Sequence, residues 1–127
     1  MKLLLDTHIL LWYSCGILPP KANILINDRK NTLFFSSASI WEVVIKFNLG
    51  QPDFQIDPQK LYEGLLGDDC QEIAITARHT LEVGTLPSLH KDPFDRILLA
   101  QALIENMNLV TSDSILAQYP KSVLYVG

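Results

Sequence analysis

The apolar residues of this chain gather in short unbroken runs, at Leu3 to Leu5, Leu33 to Phe35, Ile73 to Ile75, Leu109 to Val110 and Val123 to Val126, without polar alternation. Such runs are expected of strands covered on both faces, as in a parallel sheet packed between helices. Strands are therefore predicted at Lys2 to Leu5, Leu33 to Phe35, Glu72 to Ile75, Leu109 to Thr111 and Val123 to Val126. Helices are predicted between them, at Thr7 to Tyr13, Pro20 to Arg29, Ser37 to Leu49, Pro58 to Leu66, Thr76 to Val83, Pro93 to Met107 and Ser114 to Tyr119. Gly16, the Pro19-Pro20 pair and Gly50 break the chain, and Pro20 and Pro93 suit a first helical turn. Strand and helix alternate throughout, which predicts an α/β domain over residues 1 to 127: a mainly parallel, twisted sheet of about five strands with helices on both faces.

The chain has 127 residues, 48% of them hydrophobic and 19% charged, which fits one globular domain and is too apolar for a disordered chain. The opening, MKLLLDTHILLWYSCG, has the Lys and Leu-rich run of a signal peptide, but Asp6 and His8 interrupt it and no small-residue cleavage site follows. No run approaches the ~18 apolar residues of a membrane span, so no membrane partner and a cytoplasmic location are expected. Cys15 and Cys70 have neither a CxxC pair nor ligand spacing, and read as small apolar residues. The net charge of −4 argues against broad, charge-driven binding of nucleic acid. A nucleic-acid substrate remains compatible with it where acidic residues bind a cation that reverses the local charge.

Four acids stand where a strand is expected to hand over to a helix: Asp6, Glu42, Asp95 and Asp113. In a parallel α/β sheet these places share one crevice beyond the strands' carboxyl ends, so residues distant in sequence converge there. Each has a plainer reading. Asp6 and Asp113 suit N-caps of the helices that follow them. Glu42 matches a capping box with Ser39 and an ion pair with Lys46. Asp92 suits an N-cap and Asp95 the third helical position behind it. Two features favour a shared site. The helix around Glu42 is apolar almost all round, through Ile40, Trp41, Val43, Val44, Ile45 and Phe47, so it is expected to be buried with Glu42 and Lys46 as its only charged stripe. The acids also recur at junctions on what should be one sheet edge. An oxygen-only cluster favours Mg²⁺ or Mn²⁺, and His8, His79 and His90 are read as structural or supporting.

The motifs LLLDTHILLW, SIWEVVIK, HKDPFDRILLAQA and LVTSD span the chain, which resembles the PIN-domain ribonucleases, specifically VapC-type toxins of toxin–antitoxin systems. The resemblance implies that Asp6, Glu42, Asp95 and Asp113 bind metal and that Thr7 orients water or metal. It also makes Ser112 and Arg96 helpers beside the acids. It implies metal-dependent hydrolysis of RNA, a homodimer, and a small antitoxin whose C-terminal segment covers the crevice. A shallow crevice suits single-stranded RNA better than a duplex. Lys46, Lys91 and Arg96 are candidate phosphate contacts, although Lys91 reads first as a solvated surface residue, with Asp92 an auxiliary to the site. Trp12, Tyr13, Phe54 and Leu61 are expected either in partner surfaces or in the core. Two other classes share the size or architecture of this chain. A non-catalytic binding module can share the fold. A receiver-type phosphoacceptor domain would need paired acids after the first strand, where Asp6 stands alone, and an acceptor Asp ending a middle strand, whereas Asp53 follows Gly50 in a loop.

Overall fold

The computed structural model describes residues 1–127. Five strands, β1 (Lys2–Leu5), β2 (Thr32–Ser36), β3 (Gln71–Ile73), β4 (Asn108–Thr111) and β5 (Val123–Tyr125), form one sheet in the order β3-β2-β1-β4-β5. Every pairing is parallel: Leu3 lies opposite Leu33 on one side and Asn108 on the other, Phe34 opposite Gln71, and Leu109 opposite Val123. The chain builds outward from β1 through β2 to β3, then crosses back to β4 and β5. The strand order therefore reverses beside β1, and a crevice is expected at its carboxyl end.

The absence of alternation in β1 has a direct cause. Leu3 and Leu5 enter one core with Ile9, Leu10, Phe35, Val43, Leu61 and Val110, while Leu4 enters the other with Leu98, Leu99, Leu109 and Leu116. Successive side chains point to opposite faces, and here both faces are dry. The first core is closed by α1 (Thr7–Cys15), α2 (Pro20–Asn27), α4 (Pro58–Gly67) and one side of α3 (Ser37–Asn48); the second is closed chiefly by α6 (Pro93–Glu105), against which α5 (Ala77–Val83) packs. No single helix is long and apolar enough to cross a membrane.

Several boundaries differ from the sequence reading for local reasons. α1 continues to Cys15, where Gly16 at φ 72° supplies a left-handed stop. α6 ends at Glu105 because Asn106 takes φ 55°, also left-handed. The predicted helix at Ser114 to Tyr119 shrinks to a 3₁₀ turn over Leu116–Gln118. β3 stops at Ile73, leaving Ala74 and Ile75 in the approach to α5, whose cap is Thr76 as expected.

Two readings of α3 are corrected. Its N-cap is Ser36, whose hydroxyl accepts the Ala38 N–H at 3.0 Å, so Ser39 and Glu42 form no capping box. β2 runs on to Ser36, which pairs with Ile73 and fixes the helix start one residue later. Nor is the helix buried all round: Ala38, Ser39 and Val43 are its buried residues, whereas Trp41 is 61% exposed and Ile45 40%. Trp41 meets the Phe94 ring edge to face at 5.2 Å. Trp12, Tyr13 and Phe54 pack partly buried against the first core and Leu61 is within it, which places all four on the core side of their alternative.

Candidate active site

The carboxyl end of β1 delivers Asp6 into the crevice, and its position is fixed at both oxygens. Oδ1 accepts the Ile9 N–H at 2.8 Å as the cap of α1, and Oδ2 accepts the Thr111 hydroxyl. That hydroxyl oxygen in turn accepts the Asp113 N–H at 3.0 Å. Thr111 is wholly buried at the end of β4 and links the two neighbouring strand ends through one side chain. Asp113 is itself a cap: Oδ1 accepts the N–H groups of Ile115 at 2.7 Å and Leu116 at 3.2 Å. Cap and site residue are thus not alternatives at these positions. A carboxylate has about four lone-pair sites, and capping leaves some of them for a second partner.

Asp92 caps α6 through Oδ1, accepting from Phe94 at 2.8 Å and Asp95 at 3.4 Å, as expected. Asp95, in the first turn, faces the crevice. Glu42 reaches the same space from α3 and holds Lys46 one turn further on at 3.4 Å. These residues line one cavity of about 480 Å³, together with Thr7, His8 and Ser112, with Leu11 and Phe54 the apolar members of its wall. The β1–α1 junction, α3, the start of α6 and the turn after β4 therefore bring Asp6, Glu42, Asp92, Asp95 and Asp113 together.

Electrostatics follow from that crowding. Burial, then the charges of Asp92 and Asp6 and more weakly Glu42, push the Asp95 carboxyl up to about 7 against the opposing pull of His90. Burial also raises Asp6, opposed by its bonds from Thr111 and Ile9. Asp113 behaves differently: desolvation pushes it up, but hydrogen bonds from His90, Leu116 and Ile115 outweigh this and hold it below the usual carboxylate range. A cavity in which burial makes Asp6 and Asp95 resist ionisation beside an ionised Asp113 is one that a divalent cation would favour. Its hard oxygen donors fit Mg²⁺ or Mn²⁺.

Of the three histidines, His90 is the one whose ring contacts the acids directly. Its Nε2 lies 2.9 Å from Asp113 Oδ2 and 3.2 Å from Asp95 Oδ2, and one donor atom from each of the three residues falls within 4.8 Å of the others. His79 is structural: Nδ1 accepts the Thr76 N–H at 3.0 Å and Nε2 lies 2.9 Å from Glu105. His8 lines the cavity with its ring 4.8 Å from that of Trp12.

Two helper roles change. The Arg96 guanidinium turns away from the cavity and donates to the carbonyls of Val83 at 3.0 Å, His90 at 3.1 Å and Pro87 at 3.3 Å, so it is a loop fastener rather than a phosphate contact. Its place in the opening turn of α6 lets a long side chain reach back over the preceding loop. The Thr7 hydroxyl donates to buried Ser39 Oγ at 3.0 Å, tying α1 to α3 instead of turning its proton into the site. Lys91 is exposed beside the cavity residues and is not part of its wall. The part played by Thr111 leaves no mark in the sequence. A threonine ending a strand gives little signal unless its partner, 105 residues away, is known.

The model of the PIN domain matches residues 3–122. The chain belongs to the PIN-domain family. By sequence, no curated protein matches it. Among solved structures it is similar to a VapBC2 complex from Rickettsia felis bound to a DNA fragment from their promoter, with a TM-score of 0.75, 20% identity and 98% of each chain covered. A toxin-antitoxin complex from Klebsiella pneumoniae is also similar, with a TM-score of 0.68, 20% identity, and 98% of this chain and 97% of that chain covered. At such identities the likeness is one of fold.

Proposed function

We propose that the protein is a Mg²⁺- or Mn²⁺-dependent endoribonuclease of the VapC type, the toxin of a toxin–antitoxin pair, with Asp6, Glu42, Asp95 and Asp113 as metal-binding acids. The observation that carries this reading is the convergence of these four carboxylates, from separate elements, on one cavity of about 480 Å³. Membership of the PIN family supports a nuclease, and the likeness to toxin-antitoxin complexes supports an antitoxin partner.

A divalent cation bound there supplies positive charge to the attacked phosphate and leaving oxygen and acidity to a water molecule. The protein's residues do the rest. Asp6 and Asp113 are held rigid by the caps they make and by Thr111, so their remaining lone pairs are pre-aimed without an entropic cost at binding. Lys46 sets its ammonium beside Glu42, within reach of a phosphodiester entering the cavity. No covalent nucleophile is needed, and none is arranged beside a base in the cavity wall. Single-stranded RNA in the cytoplasm is the substrate this crevice suits, since an exposed backbone can enter it. Trp41 and Ile45 on α3 offer an apolar face for the homodimer or the antitoxin.

The test is cleavage of RNA by purified protein in Mg²⁺ or Mn²⁺ and in EDTA, with the 5′ ends of new fragments sequenced. Cleavage at defined sites that stops in chelator is expected. Undiminished cleavage in EDTA refutes the metal mechanism, and RNA binding without any cleavage would leave a binding module on this fold.

A further inference from the structure

The distances at His90 admit two roles that chemistry distinguishes. With Nε2 at 2.9 Å and 3.2 Å from oxygens of Asp113 and Asp95, the ring is close enough either to join a cation's coordination shell or to donate to the carboxylates that form it. The other side of the ring decides between them. Nδ1 accepts the backbone N–H of Asp92 at 3.0 Å, so it carries a lone pair, and the proton of the neutral imidazole is on Nε2. A protonated nitrogen cannot bond a metal. For Nε2 to become a ligand the proton would have to move to Nδ1, where it would face the Asp92 N–H donor to donor.

The ring is also held in place from outside the cavity. The backbone N–H of His90 donates to Tyr119 Oη at 3.0 Å, and that hydroxyl donates onward to Pro87 O at 2.8 Å. The His90 carbonyl accepts from Arg96 at 3.1 Å, and the same guanidinium holds Val83 and Pro87. Asp92, whose N–H fixes the tautomer, is itself the cap of α6, the helix that carries Asp95. Loop, tautomer and helix start form one connected unit, and its projecting group is the Nε2–H.

We propose that His90 is a positioning residue for the metal-binding acids. Its Nε2–H orients Asp95 and Asp113 while staying outside the coordination shell, which keeps that shell all oxygen and so suited to Mg²⁺ or Mn²⁺ rather than to the metals imidazole favours. The inference rests on the reading of the acids as a cation site and adds what selects the ion there.

The test uses Mn²⁺ as the probe, followed by electron paramagnetic resonance, on the intact chain and on His90→Gln and His90→Ala. The intact protein is expected to bind Mn²⁺ with no directly bonded nitrogen-14 coupling. Gln places an amide N–H near the position of Nε2–H and should bind within a few-fold of the intact protein. Ala removes the donor and should weaken binding by roughly 10- to 100-fold, the range for losing a group that orients a ligand. Direct nitrogen coupling in the intact protein makes His90 a ligand and overturns the proposal, as does Mn²⁺ affinity unchanged in His90→Ala. If the Ala variant does not fold, the coupling measurement on the intact chain together with Gln rescue decides. Failure of the intact protein to bind Mn²⁺ overturns the cation-site reading itself, a result distinct from either His90 outcome.

Discussion

Replacing Asp95 by Asn should stabilise the metal-free protein while abolishing cleavage. Crowding raises the Asp95 carboxyl from its ordinary 3.8 to about 7, with burial the largest cause and the charges of Asp92 and Asp6 next. Because the folded value is the higher one, this group's contribution to stability is intact below about pH 4. It is lost as the pH climbs through 7. An interval of about three pH units corresponds to a ceiling of about 4 kcal/mol at pH 8. The side chain is 20% exposed, so solvent screening lowers that ceiling, and removing an anion from the first turn of α6 costs about 0.5 kcal/mol of helix-dipole stabilisation. A net gain on the order of 2 kcal/mol remains, or roughly 8 °C in melting temperature for a chain of this size. Thermal unfolding in EDTA at pH 5, 6.5 and 8 checks this: Asp95→Asn should exceed the intact protein by a margin that widens with pH. In saturating Mn²⁺ the order should close or reverse, since the intact protein gains about 2.7 kcal/mol at a hundredfold excess over its Kd. A variant less stable than the intact protein in EDTA at pH 8, or a margin independent of pH, would refute the electrostatic reasoning.

Asp92 and Asp95 test the separation of cap from ligand within one helix start. Asp92→Ser should keep fold and most cleavage because Ser accepts the same N–H groups, whereas Asp95→Ser should lose cleavage; equal loss in an RNA-cleavage assay at saturating Mg²⁺ would place Asp92 among the ligands. Arg96→Ala removes three hydrogen bonds to loop carbonyls and should cost about 2–3 kcal/mol in denaturant unfolding, and Arg96→Lys should restore little, because an ammonium cannot span the three acceptors as the planar guanidinium does.

The sheet was legible because its strands are buried on both faces, which leaves unbroken apolar runs, and because Pro20, Pro93 and Gly16 punctuate the helices where backbone geometry requires. The site was legible in outline for a related reason. In a parallel sheet every carboxyl end opens on the same side, so acids at Asp6 and Asp113 needed no further information to be placed together. What sequence could not supply were contacts made by direction rather than position. Arg96 sits beside the acids yet points backward to Val83, Pro87 and His90. Thr7 adjoins Asp6 yet turns to Ser39. His79 and His90 both read as structural or supporting in the sequence, but the loop fastening directs one ring to the acids and helix packing directs the other to Glu105. The apolar composition of α3 suggested full burial, although burial depends on how many neighbours a helix has. Only the Ala38, Ser39 and Val43 side meets the cores, and Trp41 and Ile45 are left outside.

The most direct measurement is a crystal of the protein containing Mn²⁺, with the anomalous difference map calculated at the manganese absorption edge. A peak within coordination distance of carboxylate oxygens from the set Asp6, Glu42, Asp95 and Asp113, and out of bonding distance of His90 Nε2, is expected. A peak elsewhere on the chain, or none at saturating Mn²⁺, would contradict the assignment of these acids to one cation site.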